Sequence, residues 1–430
     1  MIFMSSEETL KNDALEAHRA KKGKIEVIGK VAVKETRDLA LYYTPGVAYP
    51  CLAIKDDKNL SYEYTSRANT VVILTNGGRV LGLGNIGPEA SMPVMEGKAL
   101  LLKKFGCIDA TPLAVTANSE DELVAIAKAI APSFGAMNLE DIEAPEAINV
   151  LRRLDGFIDI PVFHDDSYGT GVVVYAALKN ALKLVGKRLR DVRVVMNGTG
   201  SAGTGIVEML LAAGVRNLIM CDRSGTLYKG RTEGMNPIKV SMAERTNAGM
   251  LKGTLADAVK GADVLIGAST KGAFSRELIA SMAEKPIVFA LANPYPEIEY
   301  KEAKEAGAAI VATGRSDMPN QVNNMLAFPG ILRGLLDVRA SKVDTSMLIA
   351  AGDAVAAAVK KSQLNSEYLV PGFSDSRMAV KTTANVAFAV AKTAISAGLA
   401  RITIDPQTVK DNYIKSVKRY RKIEKLIERI

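Results

Sequence analysis

Between residues 172 and 290 the hydrophobic and polar positions follow two alternating patterns. The first is a short, continuously apolar run with the length of a buried strand, and it occurs at residues 192–196, 217–221, 263–267 and 287–290. The second places apolar residues at helical spacing, and it predicts helices over residues 172–184, 203–213, 237–248 and 275–282. Apolar strands that alternate with amphipathic helices are typical of a parallel sheet covered on both faces. The pattern predicts a doubly wound α/β domain.

The first 160 residues mix the same elements less regularly. Strands are predicted at 71–75 and 80–83, and Asn76-Gly77-Gly78 between them predicts a hairpin-like reversal. Helix and strand character then alternates in four further stretches, at residues 100–105, 113–116, 120–131 and 158–163. These stretches predict a smaller α/β domain in front of the doubly wound one.

The end of the chain is helical and basic. Helices are predicted over 348–360 and 380–399. Residues 413–430 then hold seven Lys or Arg against two Glu, with apolar residues at Ile414, Val417, Tyr420, Ile423, Ile427 and Ile430. One apolar side on a mixed-charge helix favours a helix that docks on the protein over an arm that binds nucleic acid or a membrane.

Composition removes several classes of chemistry. The chain has 430 residues and a formal charge of +8, much of which lies in the basic tail. Its only histidines, His18 and His164, are too few for Ser–His–Asp, Cys–His or three-histidine zinc sites. Cys51, Cys107 and Cys221 lack paired spacing, which argues against disulfides and metal–thiolate sites. We expect a cytoplasmic protein, because neither a signal core nor a membrane span is indicated.

A glycine-rich turn gives the sharpest local signal. An apolar strand runs directly into G-x-G-x-x-G and a helix, and the turn consists of Gly198, Thr199, Gly200, Ser201, Ala202 and Gly203. These glycines suit a tight turn that brings a pyrophosphate to a helix N-terminus. Asp222 ends the next strand, where an acid accepts the ribose hydroxyls of NAD, whereas Arg223 would suit the 2′-phosphate of NADP. The motif predicts dinucleotide binding and slightly favours NAD.

Acidic residues and one lysine are further candidates. Glu140, Asp141 and Asp166 would suit an oxygen-only site for magnesium or manganese, but acid pairs are equally typical of solvated faces and helix caps. Nothing in the spacing brings residue 140 near residue 166. The glycine-rich segment 81–88, which follows Arg79 and overlaps the second predicted strand, predicts a loop that delivers Lys98 at the head of a helix.

Together these pieces resemble the malic enzyme family, the decarboxylating malate dehydrogenases, in its short bacterial and archaeal form. The matching stretches run in order over most of the chain, at residues 42–48, 79–88, 96–98, 139–141, 164–166, 198–203, 289–294 and 323–324. The resemblance implies oxidative decarboxylation of L-malate to pyruvate and CO2 with reduction of NAD or NADP, and decarboxylation of oxaloacetate. It also implies a substrate domain over 1–160, a Rossmann-type NAD(P)-binding domain over 161–385 and C-terminal helices over 386–430.

The resemblance also assigns roles by position. It implies that Tyr43 is the general acid, that Lys98 is the general base and contacts substrate, and that Asp165 influences the protonation of Lys98. The implied metal ligands for Mg²⁺ or Mn²⁺ are Glu140, Asp141 and Asp166. Further implied contacts are Arg79, Asn293 and Asn324 for substrate, and Ala268, Asn293, Asp222 and the glycine turn for cofactor. The resemblance also implies a homodimer or higher homo-oligomer in which an amino-terminal segment completes the neighbour's site, and it leaves open whether Tyr43 acts on its own chain or on the neighbouring one.

Two other interpretations remain open on the residues. An amino-acid dehydrogenase also sets a substrate domain before a dinucleotide domain and uses a lysine, but it would need neither metal nor CO2 release. A nucleotide-sensing protein that lost turnover would keep the fold, although Tyr43, Lys98 and the three acids argue against such loss.

Overall fold

The structure is a computed structural model that describes residues 6–80, 82–372 and 376–429. Leu81 of the glycine-rich segment and Ile430 of the basic tail lie outside these ranges. Within them, no helix combines the length and the apolar character needed to cross a membrane.

Two sheets carry the fold of the described residues. The first has four parallel strands in the order β2-β1-β3-β4, and these are β1 (Thr70–Thr75), β2 (Asp109–Ala114), β3 (Ala136–Leu139) and β4 (Val162–His164). The second has the order β10-β9-β8-β5-β6-β7, with β5 (Arg193–Asn197), β6 (Asn217–Asp222), β7 (Gly225–Thr226), β8 (Val264–Gly267), β9 (Ile287–Ala290) and β10 (Ile310–Thr313). Every pairing in the second sheet is parallel except that of β6 with β7.

Helices connect and cover these strands. Those of the N-terminal part are α1 (Ser6–Lys21), α2 (Thr36–Tyr42), α3 (Ala48–Asp56), α4 (Ser61–Tyr64), α5 (Gly87–Gly106), α6 (Glu120–Ile130) and α7 (Glu146–Leu154). Those around the second sheet are α8 (Thr170–Val185), α9 (Ser201–Ala212), α10 (Pro237–Arg245), α11 (Leu255–Val259), α12 (Arg276–Ala280) and α13 (Tyr300–Glu305). The last are α14 (Phe328–Asp337), α15 (Thr345–Ala358), α16 (Ser376–Ser396) and α17 (Pro406–Ile427).

Both sheets are buried on two faces, as their apolar strands predict. In β1, Val71 and Ile73 belong to the core that contains α5, whereas Val72 and Leu74 face a separate core formed with α6 and α7. Alternate residues of a strand point to opposite faces, so an all-apolar strand needs cover on both sides. Strand β5 repeats this arrangement, with Val194 and Val195 in different cores. The doubly wound prediction is confirmed.

The predicted hairpin at residues 76–78 is wrong. Strand β1 pairs in parallel with β2 and β3, and Val80 forms only an isolated bridge with Gly84. The turn itself is real, because Gly77 has a φ of +68° and a Cβ there would lie 2.1 Å from the Gly87 carbonyl oxygen. After this turn the chain leaves the sheet and enters α5. Lys98 lies in the middle of that helix and not at its head, where it was predicted.

The basic C-terminal helix docks on the protein. Val409, Tyr413 and Val417 on α17 are buried, and α17 packs against α16 and α5. The Tyr413 hydroxyl donates a hydrogen bond to the Phe105 carbonyl oxygen at 2.5 Å. The division predicted at residue 160 falls just before β4, and the division at 386 falls inside α16; the domain boundaries stay a prediction.

Candidate active site

Polar side chains converge where β3 and β4 of the first sheet end. These strands pair in parallel, with Leu139 opposite His164, so the residues that follow them meet at one edge. Glu140 and Asp141 follow β3, and Asp165 and Asp166 follow β4 in a short π-helical turn. Strand pairing therefore brings together the acids that sequence spacing left apart.

Lys98 of α5 reaches this edge from the side. Its ammonium lies 2.8 Å from Oε1 of Glu140, contacts Oδ2 of Asp165 and sits 4.4 Å from the centre of the Phe328 ring. Burial alone would lower the pKa of Lys98, but the carboxylates of Asp165 and Glu140 raise it above its ordinary range. In this arrangement Lys98 is an ammonium ion, and a basic role requires these contacts to loosen.

The acids respond differently to the same burial. Burial raises the pKa of Glu140 well above its ordinary value, Lys98 opposes this, and the three neighbouring acids reinforce it. The pKa of Asp165 is also raised, again by burial first. Burial would raise the pKa of Asp166, but the nearby His164 ring, Lys98 and a hydrogen bond from the Asp141 N–H at 3.0 Å lower it. Asp166 therefore keeps its charge more readily than Glu140 or Asp165.

The cluster has the donor chemistry of a hard-cation site. The carboxylates of Glu140 and Asp165 contact the Lys98 ammonium, and Asp141 and Asp166 lie at the same strand ends. Among the described residues, Oδ1 of Asp165 is buried without a hydrogen-bond partner. Glu140 is held by Lys98 and by Asn138 Nδ2, which lies at 2.7 Å. In the positions that the side chains take here, no three His, Cys, Asp or Glu residues of the described ranges are arranged around a common metal position. The contacts with Lys98 and Asn138 use only two of the about four acceptor positions of the Glu140 carboxylate, so the others are available to a cation.

Two of the three further predicted substrate contacts, Asn324 and Arg79, are bonded to residues of this cluster. Asn324 donates to Oδ2 of Asp165 at 2.5 Å. Arg79 is anchored through its backbone N–H to the Asp141 carbonyl at 3.0 Å, while its guanidinium is exposed. Asn293 follows β9 of the second sheet, and a Cβ on Gly82 would lie 3.0 Å from the Asn293 carbonyl oxygen. The glycine-rich loop therefore contacts the Asn293 loop.

Tyr43 is not brought into this site. Tyr43 is 70% exposed. Within the described ranges, no hydrogen bond or ion pair joins it to Lys98 or to the four acids. Neither α2 nor α3, which flank it, has a buried residue. Lys24, which precedes these helices, contacts α5 twice: its N–H donates to Glu96 at 2.9 Å and its ammonium donates to the Pro93 carbonyl oxygen at 2.7 Å.

The glycine turn occupies the point where the strand order of the second sheet reverses. Gly198 follows β5, adopts a φ of +125°, and a Cβ there would lie 2.3 Å from the Ala268 carbonyl oxygen. A Cβ on Gly203 would lie 2.1 Å from the Gly198 carbonyl oxygen. Glycine is required at both positions, and the turn delivers the chain to the start of α9, as a dinucleotide-binding crevice needs.

Asp222 ends β6 but is already engaged. Its Oδ1 accepts from Ser224 N–H and Arg231, and its Oδ2 accepts from Arg231 and from Lys239 at 2.7 Å. Burial would raise the pKa of Asp222, but Lys239 and Arg231 lower it. A carboxylate has about four acceptor positions, so all are filled. Sequence reasoning missed Arg231 and Lys239, because no local signal links them to a strand end before them.

Comparison with known proteins agrees with this geometry. The malic enzyme N-terminal domain matches residues 22–120, and the malic enzyme NAD-binding domain matches residues 168–395. The bifunctional malic/malolactic enzyme of Bacillus subtilis is 50% identical over 93% of this chain and 97% of its own length. An NAD-dependent malic enzyme of Geobacillus stearothermophilus is 48% identical over 88% of this chain and 78% of its own.

Longer relatives and solved structures point the same way. An NADP-dependent malic enzyme of Rhizobium meliloti is 44% identical over 91% of this chain and 53% of its own length. The crystal structure of malic enzyme from Pyrococcus horikoshii superposes with a TM-score of 0.93, with 43% identity over 98% of both chains. These matches confirm the resemblance stated from the motifs, and the chain belongs to the malic enzyme family.

Proposed function

We propose that this chain catalyses the oxidative decarboxylation of L-malate to pyruvate and CO2, with NAD or NADP as the hydride acceptor. The observation that carries the proposal is Lys98, buried between Glu140 and Asp165 at one strand edge. The glycine-rich loop that follows Arg79 contacts the Asn293 loop of the second sheet, which also carries the glycine turn. The relatives named malic enzyme support the same reaction.

The residues of the cluster supply proton transfer and orientation. Lys98 accepts the proton of the C2 hydroxyl as hydride leaves C2, which requires the neutral amine. Each contact that Lys98 gives up with Asp165 or Glu140 lowers its raised pKa towards that state. Asn324 holds Asp165 in place beside the amine, and Arg79 and Asn293 bind the carboxylates of malate.

Glu140, Asp141 and Asp166 are the residues that would hold a divalent metal, Mg²⁺ or Mn²⁺. Such an ion, when bound, supplies Lewis acidity to the C2 oxygen and stabilises negative charge there during CO2 loss. The low pKa of Asp166 suits it as the first ligand, because it stays ionised. Oxaloacetate offers the same C2 oxygen, so the site should also decarboxylate oxaloacetate.

A second copy of the chain completes the site. Val27, Tyr43 and Tyr49, all in the N-terminal segment, are 98%, 70% and 76% exposed. Several large apolar side chains this exposed are typical of an interface. We assign Tyr43 as the acid that protonates C3 in the site of the neighbouring chain, within a homodimer or higher homo-oligomer. Its phenol donates a proton without first carrying a charge into an anionic site.

The cofactor preference is small and favours NAD. The carboxylate of Asp222 repels a 2′-phosphate, but Arg231 and Lys239 offset its charge. Replacing Asp222 with Ser frees both cations, so we expect the ratio of kcat/KM for NADP to that for NAD to rise roughly tenfold. An unchanged ratio would show that Asp222 and its two cations do not govern the choice between NAD and NADP.

One assay tests the proposed reaction. Purified protein is given L-malate, Mn²⁺ and either NAD or NADP, and reduced nicotinamide and trapped CO2 are measured in parallel. Equal molar amounts of the two products, both abolished by a chelator, support the proposal. Reduced cofactor without CO2 would make the protein a plain dehydrogenase, and no reduced cofactor with either nucleotide would favour a binding role.

A further inference from the structure

Glu297 is a fully buried acid that the reaction described above does not use. It lies in the loop after β9, and none of its surface is exposed. No Lys, Arg or His side chain in the described ranges forms an ion pair with it. Burying a carboxylate without a cation is costly unless hydrogen bonds satisfy its oxygens. The partners in those hydrogen bonds therefore indicate what Glu297 does.

The carboxylate of Glu297 joins two loops. Its Oε1 accepts from the Ser269 N–H at 2.7 Å and from the Ser269 hydroxyl at 3.0 Å, and its Oε2 accepts from the Ala292 N–H at 3.0 Å. The Ser269 Oγ also accepts from Asn197 Nδ2 at 3.0 Å. This chain of bonds crosses the carboxyl ends of β5, β8 and β9, which are neighbours in the sheet.

The joined loops form one half of the cofactor crevice. Strand order reverses between β5 and β8, which is where open α/β sheets bind their ligands. Ala268 lies next to Ser269, and Asn293 lies next to Ala292, so two of the expected cofactor contacts are on these loops, and Asn293 is also an expected substrate contact. Asp222 lies at the end of β6, on the other side of β5, with the adenosine half.

We infer that Glu297 is a positioning residue that fixes the Ala268 and Asn293 loops for the nicotinamide ring. A carboxylate suits this task because it offers two acceptors and no donor, one oxygen for each loop. The fit is close, since a Cβ on Gly267 would lie 2.5 Å from the Glu297 carboxyl carbon. The inference rests on the proposed function only for the identity of the substrate.

The test is Glu297→Gln, because an amide turns an NH2 group towards one of the two loops and leaves its backbone N–H without an acceptor. With malate and NAD, kcat/KM should fall about 10- to 100-fold, through both a lower kcat and a higher KM for NAD. Calorimetry should show weaker NAD binding, while affinity for ADP-ribose, which lacks nicotinamide, changes by less than about twofold. Glu284→Gln, exposed before the opposite end of β9, is the matched control.

Two other outcomes would contradict the positioning role of Glu297. Equal losses for NAD and ADP-ribose, or a lower Tm with unchanged kinetics, would make the residue merely structural. If Glu297→Gln does not fold, Ser269→Ala removes the hydroxyl link and should give the same split between the two ligands, at about 3- to 10-fold. A wild-type protein inactive towards malate would end the proposed function, while the comparison of NAD with ADP-ribose binding would still test Glu297.

Discussion

The Lys98 cluster and the segment that carries Tyr43 are built in opposite ways. Lys98, Glu140 and Asp165 are buried and held by two ion pairs at the ends of neighbouring strands. Tyr43 lies between two helices that have no buried residue, and its residue is 70% exposed. One part of the proposed site is therefore assembled within a single chain, whereas the other needs a surface to cover it.

The difference shows what a single fold can and cannot supply. Burial around Lys98 provides the low-dielectric setting in which charges shift one another's pKa strongly. The exposed phenol of Tyr43 has no such setting in the single chain, so the acid role proposed for it would need a second chain to bring the desolvation. Variants of the Lys98 cluster and of the segment that carries Tyr43 separate their contributions, and the largest effect is expected at Lys98.

Lys98→Ala should break the assembled part. Loss of a general base lowers kcat with malate by about 10²- to 10⁴-fold, with NAD affinity little changed because the glycine turn is elsewhere. Steady-state kinetics and NAD calorimetry measure the two effects. Lys104→Ala, on the same helix but partly exposed beside Glu424, should keep near-normal kcat. Near-normal turnover of the Lys98 variant would remove this residue from the mechanism.

Asp166→Asn should weaken the same part in a narrower way. An amide at this position can still accept from the Asp141 N–H, so the fold should persist, but one ligand charge is lost. We expect Mn²⁺ affinity to fall at least about tenfold, as followed by the electron paramagnetic resonance signal of the free ion. Asp159→Asn, 94% exposed, is the control. Unaltered Mn²⁺ affinity would contradict Asp166 as a ligand.

Val27→Asp addresses the exposed part. Val27 is 98% exposed in the single chain, so a charge there should leave the Tm of the folded chain almost unchanged. If a second copy covers it, association should weaken about tenfold or more, because the charge is buried at the interface. Sedimentation over a concentration series measures this. Phe157→Asp, which changes another exposed apolar residue, should leave association unaffected.

Local patterns predicted the second sheet well and the first sheet poorly. Strands such as β5 and β9 are apolar runs between clear helices, and their positions follow from the sequence. Strands β3 and β10 were missed, although they are as long as β8 and β9, which were predicted, so length alone does not explain the misses. The hairpin after β1 failed because Asn-Gly marks a turn but does not say whether the next strand pairs beside it or a helix follows.

In the site, too, local motifs could be predicted from the sequence, whereas residues that only the fold brings together could not. The glycine turn is contiguous and was visible at once, whereas Lys98, Glu140 and Asp166 are grouped only by the parallel pairing of β3 with β4 and the packing of α5. Before the structure, the family resemblance alone linked them. Glu297 gave no signal, because a buried acid in a loop looks like an ordinary surface acid in the sequence.

Subunit complementation tests the shared site most directly. Tyr43→Phe and Lys98→Ala proteins, each inactive alone, are mixed in equal amounts, allowed to exchange subunits and assayed with malate. If Tyr43 acts on the neighbouring chain, half of the dimers contain one complete site, and activity should return to about a quarter of the wild-type value. Tyr49→Phe replaces Tyr43→Phe in the control. Activity that stays at the level of the separate variants after verified exchange would contradict the account.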